Sequence, residues 1–344
     1  MNNLRATASA MVAPGKGILA ADESVATASK RLDGAGIPST EESRRAYREM
    51  LLTTPGLANW VSGVILFDET LRQSTSDGVS FADYLCDQGV LPGIKVDTGA
   101  KPLAGRPGET VTEGLDGLRE RVAEYVGLGA TFAKWRAVIS IGDGRPSSAC
   151  VAANAHALAR YAALCQEGGL VPIVEPEVLI DGDHTMETCE AVTTDVLRAV
   201  FAQLAEQEVD LAGIVLKPSM VVPGKGSGQP ALVADVAAAT IRCLRAAVPA
   251  AVPGIAFLSG GQSADAATAH LDAMNRLGPQ PWQLTFSYGR ALQDPALAAY
   301  AVDGGVTTEA GQAALVHRAR CNSAARAGAW TIDMETLDMV GAVL

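Results

Sequence analysis

The chain has 344 residues, a hydrophobic fraction of 48% and a formal net charge of −11 at pH 7. These values predict a soluble globular protein with a large core, and the acidity argues against a nucleic-acid partner, since phosphate backbones are bound through basic surfaces. No apolar run is long enough to cross a bilayer, and the first residues, MNNLRATASAM, lack the hydrophobic segment of a signal peptide. We therefore expect a cytoplasmic protein without a membrane partner.

An alanine-rich helix is predicted in the first dozen residues, and eight apolar segments with the character of buried strands follow it. Their starts lie roughly 30 to 45 residues apart, which leaves room for one helix and two loops between neighbours. This repeat predicts a single-domain (β/α)8 TIM barrel over residues 1–344 rather than a doubly wound open sheet. The segments are GILAADES (17–24), GVILFDET (63–70), GIKVDTG (93–99), FAKWRAVI (132–139), VPIVEPEV (171–178), GIVLKPSM (213–220), GIAFLSGGQS (254–263) and LTFSYGR (284–290).

Helical periodicity fills most of the stretches between these strands. Two connections rich in glycine and proline, Gly99–Glu113 and Val222–Pro230, are long, and we expect them to form loops at the rim of an active site. After the eighth strand come two or three helices, the longest near Thr308–Ala327, and a C-terminal tail region at 322–344 that packs on the barrel exterior. The other predicted helices are Glu41–Leu52, Gly117–Tyr125, Val151–Gln166, Thr188–Glu206, Val233–Ala247 and Ala264–Asn275.

The functional signal lies at the carboxyl ends of the predicted strands, where (β/α)8 barrels build their active sites. Side chains two residues apart on a strand project from one face, so the paired charges of FAKWR and VEPE point the same way. A single charged strand end is ordinarily solvated surface. Charged or phosphate-suited residues at all eight ends, most of them charged and set among β-branched and aromatic neighbours, indicate a convergent polar site. The candidates are Asp22 with Ser24, Asp68 with Glu69, Lys95, Lys134 with Arg136, Glu175 with Glu177, Lys217, Ser259 with Gly260, and Ser287 with Gly289 and Arg290.

Lys217 stands out because it lies in the apolar run GIVLKPSM. Burial disfavours the ammonium form, and a neutral amine can attack a substrate carbonyl and form an imine. Lys134 would add like-charge repulsion, Glu175 would act as acid and base, and Asp22 would take a proton from a substrate hydroxyl. Glu177 would hold Lys134 or carry protons in a secondary role. Taken alone, however, a lysine at a strand end with its head in water is the more ordinary interpretation.

Two anion sites are predicted beside this lysine. The segments FLSGGQS and SYGR follow the seventh and eighth strands, where this fold often binds phosphate. Small residues let backbone N–H groups approach an anion, and Arg290 can bind it with two parallel hydrogen bonds. Ser24 and Lys95, on other strand ends, are candidates for a second anionic group.

No metal or cofactor is predicted. The six cysteines are scattered without a CxxC pair, as is typical of reduced thiols. The four histidines form no HxxxH pair, and the DGDH run at 181–184 is more typical of a turn than of a calcium loop.

These motifs resemble those of the class I, Schiff-base fructose-1,6-bisphosphate aldolases, in the same order and along almost the whole chain. The resemblance implies a (β/α)8 barrel, usually a homotetramer, that acts in glycolysis and gluconeogenesis. Its implied reaction is the reversible, metal-independent cleavage of fructose 1,6-bisphosphate to dihydroxyacetone phosphate and glyceraldehyde 3-phosphate. The matching segments are GKGILAADES, GVILFDETL, GIKVDTG, FAKWR, VPIVEPE, LKPSM, FLSGGQS and TFSYGRAL.

The resemblance also implies a role for each strand-end residue. Lys217 resembles the imine-forming lysine, Glu175 the acid and base of imine formation, and Glu177 its helper. Asp22 resembles the group that takes the C4 hydroxyl proton. The remaining implied residues are Lys134 and Arg136 for catalysis and substrate placement, Ser259, Gly260 and Arg290 at the 1-phosphate, Ser24 and Lys95 at the 6-phosphate, and Ser287 and Gly289 as further substrate-binding residues.

The chain departs from the family pattern at two places. Animal members end in a tyrosine that assists proton exchange at the enamine, whereas this chain ends GAVL and its last tyrosine is Tyr300. Val25 follows Ser24 where relatives often have a small polar residue. The alternatives are another lysine-imine barrel, such as a transaldolase or a single-phosphate sugar aldolase, a pyridoxal-phosphate enzyme, or a scaffold barrel. Two separate phosphate sites argue against the first.

Overall fold

The computed structural model describes residues 2–302 and 305–336, and this part of the chain contains twelve strands. They are β1 (Gly17–Ala21), β2 (Val61–Leu66), β3 (Leu91–Lys95), β4 (Gly99–Pro102), β5 (Thr110–Glu113), β6 (Phe132–Ile139), β7 (Val171–Val178), β8 (Val215–Leu216), β9 (Gly254–Phe257), β10 (Gln283–Tyr288), β11 (Ala301–Val302) and β12 (Gly305–Val306).

Eight of these strands close into a parallel barrel in the order β1-β2-β3-β6-β7-β8-β9-β10, and β10 pairs with β1 to complete the ring. Each of the eight predicted segments holds one barrel strand, so the predicted (β/α)8 barrel is confirmed. The strands are apolar and buried because helices cover the outside of the barrel and side chains fill its inside.

Twelve α-helices occur in the same part of the chain. Two of them, α3 and α9 below, have the predicted bounds, and six others lie within a few residues of prediction. The helices are α1 (Asn2–Met11), α2 (Val25–Gly34), α3 (Glu41–Leu52), α4 (Asp68–Leu71), α5 (Phe81–Asp87), α6 (Leu118–Gly127), α7 (Ser148–Glu167), α8 (Met186–Glu206), α9 (Val233–Ala247), α10 (Ala264–Arg276), α11 (Arg290–Tyr300) and α12 (Thr308–Arg326). None of them is both long and apolar enough to cross a lipid bilayer.

Helices α2, α4 and α5 were not predicted, whereas α11 is one of the two or three helices expected after the eighth strand. Helix α2 begins behind Ser24, whose hydroxyl accepts a hydrogen bond from the Thr27 N–H and so satisfies one free donor of the first turn. Helix α11 starts within the segment predicted as the eighth strand and contains Pro295, a residue that ordinarily argues against a helix.

The two long connections differ from each other. Gly99–Glu113, predicted as a loop, forms an antiparallel hairpin of β4 and β5, with Gly99 opposite Glu113. Val222–Pro230 contains neither helix nor strand, as predicted. Its backbone is held in place because the Gly224 N–H donates to the His184 carbonyl at 2.9 Å and the Lys225 N–H to that of Ile180, also at 2.9 Å.

Helix α1 closes the amino-terminal end of the barrel. Leu4, Ala8, Met11 and Val12 pack against side chains inside the barrel, among them the fully buried Phe132. Fully burying one such ring contributes about 1.5–3 kcal/mol. Gly93 is required beside it, because a Cβ at that position would overlap the Phe132 ring. The barrel is therefore open only at the carboxyl ends of its strands.

The region predicted as a C-terminal tail, 322–344, begins inside helix α12, which ends at Arg326. A 3-10 turn follows at Ile332–Glu335. The terminal GAVL lies outside the described residues.

Candidate active site

A cleft of about 530 Å³ opens at the carboxyl ends of the barrel strands. Every candidate residue that the family resemblance implied lines this cleft, and together they come from seven of the eight strand ends. They are Asp22, Ser24, Lys95, Lys134, Arg136, Glu175, Glu177, Lys217, Ser259, Gly260, Ser287, Gly289 and Arg290.

The second strand end contributes no side chain to this cleft, contrary to the expectation that all eight would. Asp68 opens helix α4 and pairs with Arg72, their side-chain atoms lying 2.9 Å apart. Glu69 pairs with Arg44 at 2.6 Å. These two ion pairs hold both carboxylates away from the mouth.

Lys217 lies one residue beyond its strand rather than inside it. The predicted strand GIVLKPSM contains only Val215–Leu216 in β8. The Lys217 N–H still donates to the Val174 carbonyl at 2.8 Å, and Pro218, which has no N–H, ends the pairing there. The side chain is nevertheless buried, with 3% of the residue exposed.

Four charged side chains form a continuous chain across the floor of the cleft. Nζ of Lys217 lies 3.1 Å from Oε1 of Glu175, whose Oε2 lies 3.1 Å from Nζ of Lys134. Nζ of Lys134 in turn donates to Oδ2 of Asp22 at 2.8 Å. The two lysines therefore share one carboxylate, and each buried charge has a partner of opposite sign.

These contacts fix the protonation of three of the four groups. Burial alone would raise the pKa of Asp22, but the positive charges of Lys134 and Lys217 outweigh it and hold the pKa at about 2. Burial also opposes ionisation of Glu175, and the same two lysines lower its pKa despite this. Burial would lower the pKa of Lys134, yet Asp22 and Glu175 raise it. At neutral pH the site thus holds two carboxylates and a permanent ammonium ion.

Glu177 holds Arg136 rather than Lys134. The Arg136 guanidinium donates from Nε to Oε2 of Glu177, and both side chains line the cleft. In the parallel pairing of β6 with β7, Arg136 lies opposite Glu175, one step from Glu177 along the same face. The predicted projection of each pair from one face is therefore what brings these charges together.

One side of the cleft is built from backbone groups suited to an anion. Gly260 and Gly261 have φ angles of 56° and 85°, the left-handed region that favours glycine. Helix α11 begins at Arg290, so its free N–H groups and positive dipole end face the same cleft. Ser287 adds a buried hydroxyl that has no hydrogen-bond partner among the described residues. Such a hydroxyl is free to bind a polar group of a ligand in the cleft.

Ser24 and Lys95, which follow β1 and end β3, line another part of the cleft. Ser24 caps helix α2, and Nζ of Lys95 lies 2.9 Å from Oδ1 of Asp97. Both residues also line a neighbouring cavity of about 500 Å³. The helix start and the ammonium group together form a second region that can attract an anion.

Several residues near the site were missed from the sequence. Lys225, on the Val222–Pro230 loop, reaches the glycine turn: a Cβ at Gly261 would lie 3.0 Å from its Nζ and 3.5 Å from Nη2 of Arg290. Asp97 holds Lys95 and also accepts a hydrogen bond from the Arg136 backbone N–H at 3.2 Å. Its position two residues after Lys95 was an available signal, and the signal for Lys225 was its place in a loop expected at the rim of an active site.

Glu23 and Arg31 form a further missed group at the edge of the cleft. Glu23 binds Arg31 at 2.5 Å and Arg48 at 2.7 Å, and it also accepts from Nε2 of Gln293 at 2.7 Å. Arg31 is on helix α2, which the sequence analysis did not predict. The group ties that helix to α3 and α11 beside the cleft.

None of the histidines lines the cleft. The DGDH run at 181–184 forms a bend held by the Val222–Pro230 loop, in agreement with the predicted turn. Three potential metal ligands do meet elsewhere: His317, Cys321 and Glu335, whose ligand atoms all lie within 4.8 Å of one another.

Comparison with known proteins relates this chain to a single family. A family model described as fructose-bisphosphate aldolase class-I matches residues 3–341. The chain is 59% identical over 330 residues to a probable fructose-bisphosphate aldolase class 1 of Xanthomonas campestris pv. campestris, a match covering 96% of this chain and 99% of that protein.

A plant relative and a solved structure agree with this. The chain is 51% identical over 335 residues to the cytosolic fructose-bisphosphate aldolase 4 of Arabidopsis thaliana, covering 96% of this chain and 84% of that one. It superposes with a TM-score of 0.93, at 45% identity, on fructose-bisphosphate aldolase from Plasmodium falciparum, solved in a ternary complex with TRAP and a small-molecule inhibitor. That superposition covers 96% of this chain and 95% of the other.

Proposed function

Because the chain belongs to the class I fructose-bisphosphate aldolase family, we propose that Lys217 is the residue on which its Schiff base forms. The protein is a metal-independent lyase of glycolysis that reversibly cleaves fructose 1,6-bisphosphate to dihydroxyacetone phosphate and glyceraldehyde 3-phosphate. The observation that carries the residue assignment is the buried amine of Lys217, 3.1 Å from the Glu175 carboxylate at the floor of the cleft.

Glu175 is the acid and base of imine formation. Its Oε1 accepts a proton from Nζ of Lys217, and the freed lone pair attacks the C2 carbonyl carbon of the substrate. The C2 oxygen then takes a second proton from the nitrogen, which gives a neutral carbinolamine. The carboxylic acid formed then donates its proton to the departing hydroxyl, which leaves as water, and the iminium ion remains on Lys217. One carboxylate thus takes up and returns the proton.

Asp22 accepts the proton of the C4 hydroxyl during carbon–carbon cleavage. The electron pair of the O–H bond forms the aldehyde carbonyl, and the pair of the C3–C4 bond moves into the iminium ion to give an enamine. Asp22 is ionised at neutral pH, with a pKa of about 2, so it is ready to accept. The nearby ammonium of Lys134 stabilises negative charge that develops on oxygen.

The two phosphates bind to two different parts of the cleft. The 1-phosphate binds to the glycine turn at Ser259 and Gly260. Gly289, Arg290 and the cation of Lys225 complete this site. The 6-phosphate takes the start of helix α2 at Ser24 and the ammonium of Lys95. Arg136 and Ser287 place the sugar between them, through a guanidinium and a hydroxyl that face the cleft.

Borohydride trapping tests the assignment of Lys217. Reduction in the presence of dihydroxyacetone phosphate, followed by peptide mass mapping, should find a three-carbon phosphate adduct on Lys217. An adduct on Lys134 alone, or none at all, would refute it. Comparing turnover of fructose 1,6-bisphosphate with that of fructose 1-phosphate tests the second phosphate site, since a single-phosphate aldolase would not distinguish the two.

A cytoplasmic homotetramer is the state that we propose for this enzyme. The 51% identical Arabidopsis relative is a cytosolic protein, and class I aldolases resembling this chain are usually tetramers. Light scattering after size exclusion should give about four times the chain mass of 35.5 kDa. A mass equal to that of one or two chains would contradict the tetramer, and recovery of the enzyme with membranes or organelles on cell fractionation would contradict the location.

A further inference from the structure

His317, Cys321 and Glu335 bring an imidazole, a thiol and a carboxylate together in the outer helical layer, apart from the substrate cleft. His317 and Cys321 are four residues apart on α12 and therefore lie on one face of that helix. Glu335 ends the 3-10 turn Ile332–Glu335, which folds back over that face. Two separate segments thus converge on one point.

The distances suit a small tetrahedral ion. Sγ of Cys321 lies 3.8 Å from Nε2 of His317, which lies 4.0 Å from Oε2 of Glu335. In a tetrahedral zinc site, bond lengths of about 2.0–2.3 Å place neighbouring ligand atoms roughly 3.5 Å apart. All three ligand atoms lie within 4.8 Å of one another, so side-chain movements of about 1 Å would bring them within bonding distance of a common centre.

The ligand types select the metal. Thiolate and imidazole ligands favour zinc among the abundant divalent ions, whereas calcium and magnesium prefer oxygen ligands only. We propose that the His317–Cys321–Glu335 cluster is a zinc site with water as its fourth ligand. This inference goes beyond the aldolase reaction, which needs no metal.

The surroundings orient the ligands. Nε1 of Trp330 donates to Oε1 of Glu335 at 2.9 Å, which leaves the other carboxylate oxygen, Oε2, directed at the cluster. Such outer hydrogen bonds commonly fix metal-binding carboxylates. Nη1 of Arg318 donates to the same Oε2. When the carboxylate turns to a metal, Nη1 keeps Oδ1 of Asp265 at 3.4 Å, and Nη2 keeps Oγ1 of Thr268 at 2.7 Å.

The site is reachable from solvent. Cys321 is 1% exposed, whereas His317 and Glu335 are only partly buried. An ion bound there would fasten the stretch 330–336 to helix α12, which itself packs against α10 and α11. The role of the metal would be to stabilise the C-terminal part of the chain, with no part in catalysis.

Titration of the purified enzyme with cobalt chloride, followed by displacement with zinc chloride, tests the proposal. We expect one ion per chain and an intense near-ultraviolet band from a thiolate–cobalt bond. C321A should abolish the band and weaken zinc binding by at least about 100-fold, and E335Q should weaken it by about 10-fold. C86A, which removes the exposed cysteine, is the matched control and should bind as the unchanged protein does.

Two further readouts make the result decisive. Zinc should slow hydrogen exchange in peptides that cover Trp330–Thr336, and C321A should turn over fructose 1,6-bisphosphate at the unchanged rate, which verifies that it folds. No binding at micromolar zinc, undiminished binding by C321A, or loss of the cobalt band in C86A would each overturn the proposal.

Discussion

The floor of the cleft and the part of its rim formed by the glycine turn and Arg290 hold charge in different ways. On the floor, Lys217, Glu175, Lys134 and Asp22 are mostly buried and joined by contacts of 2.8–3.1 Å. On the rim, Arg290 is exposed and forms no ion pair with any described residue, and backbone N–H groups supply much of the site. A buried charge needs a partner of opposite sign already in the free enzyme, whereas water stabilises an exposed charge until the substrate binds. Loss of a floor residue should therefore lower kcat, and loss of a rim residue should raise KM.

The largest expected effect is that of K217M on turnover. Removing the amine eliminates the covalent route, so kcat should fall by at least about 10⁴-fold, and no adduct should form under borohydride. The exposed Lys30 gives a matched control, since K30M removes a lysine far less buried than Lys217. If K217M turned over substrate at a rate within tenfold of the unchanged enzyme, Lys217 would not be the nucleophile, and the distinction between floor and rim would fail.

E175Q and D22N separate two steps on the floor. Each should lower kcat by about 10²–10⁴-fold, because a positioned acid or base is lost. E175Q should also slow borohydride trapping, since imine formation needs the proton transfer, whereas D22N should trap normally and fail only at cleavage. Single-turnover trapping rates measure this difference. Equal trapping rates in the two variants would contradict the assigned roles.

The segment that forms the glycine turn contacts His270, which should take up a proton at a higher pH than Asp22 on the floor does. Nδ1 of His270 lies 2.6 Å from Oε1 of Gln262, in the segment that forms the glycine turn. Burial lowers the pKa of His270 to about 4, below the ordinary value of 6.5, so the unfolded chain binds this proton more readily. Stability should therefore fall as pH drops from about 6.5 to 4, by about 3 kcal/mol in total.

Urea unfolding at pH 7 and pH 5 measures this loss, and H270N should reduce its pH dependence. Asp22 behaves differently, because its lowered pKa gives stability that is present above pH 3.8 and lost only as pH falls towards about 2. An H270N variant as acid-sensitive as the unchanged protein would remove His270 from this explanation.

The smallest expected effects are on the rim itself. R290A should raise KM for fructose 1,6-bisphosphate by about 10-fold or more, since a charge-assisted pair with phosphate is lost, while kcat changes less. K225M should raise KM only about 2- to 5-fold, because its ammonium is half exposed and screened by salt. Steady-state kinetics at two salt concentrations measure both. If kcat fell by a larger factor than KM rose, these cations would act in the chemical step, as the floor residues do, rather than in phosphate binding.

The floor could be predicted from the sequence because its geometry follows from strand periodicity. Charges two residues apart in FAKWR and VEPE project from one face, and the carboxyl ends of parallel strands meet at one mouth. The same rule failed for Asp68 and Glu69, whose carboxylates pair with Arg72 and Arg44 in and beside the first turn of helix α4. Arg290 also starts a helix one residue after its strand and still lines the cleft, so the contacts of each side chain decide whether a strand-end residue reaches the mouth.

The rim and the zinc cluster depend on contacts that no local pattern encodes. Lys225 reaches Gly261 because its loop is bonded to residues 180–184, which are forty residues earlier in the chain. His317 and Cys321 have helical spacing, but their third partner comes from a separate turn. Helix α2, which carries Arg31 to the cleft, was not predicted because it directly follows the segment assigned to the first strand. In each case, packing between elements decided the position.

Helix α1 and Phe132 close the amino-terminal end of the barrel, so substrate and products must pass through the one opening, at the carboxyl ends of the strands. After cleavage, the aldehyde fragment has to leave past the same groups that received the intact sugar, while the other three carbons stay tethered to Lys217. The next sugar can enter only after both halves have gone. Substrate entry and product release therefore use the same opening in turn, and any molecule that binds there blocks both.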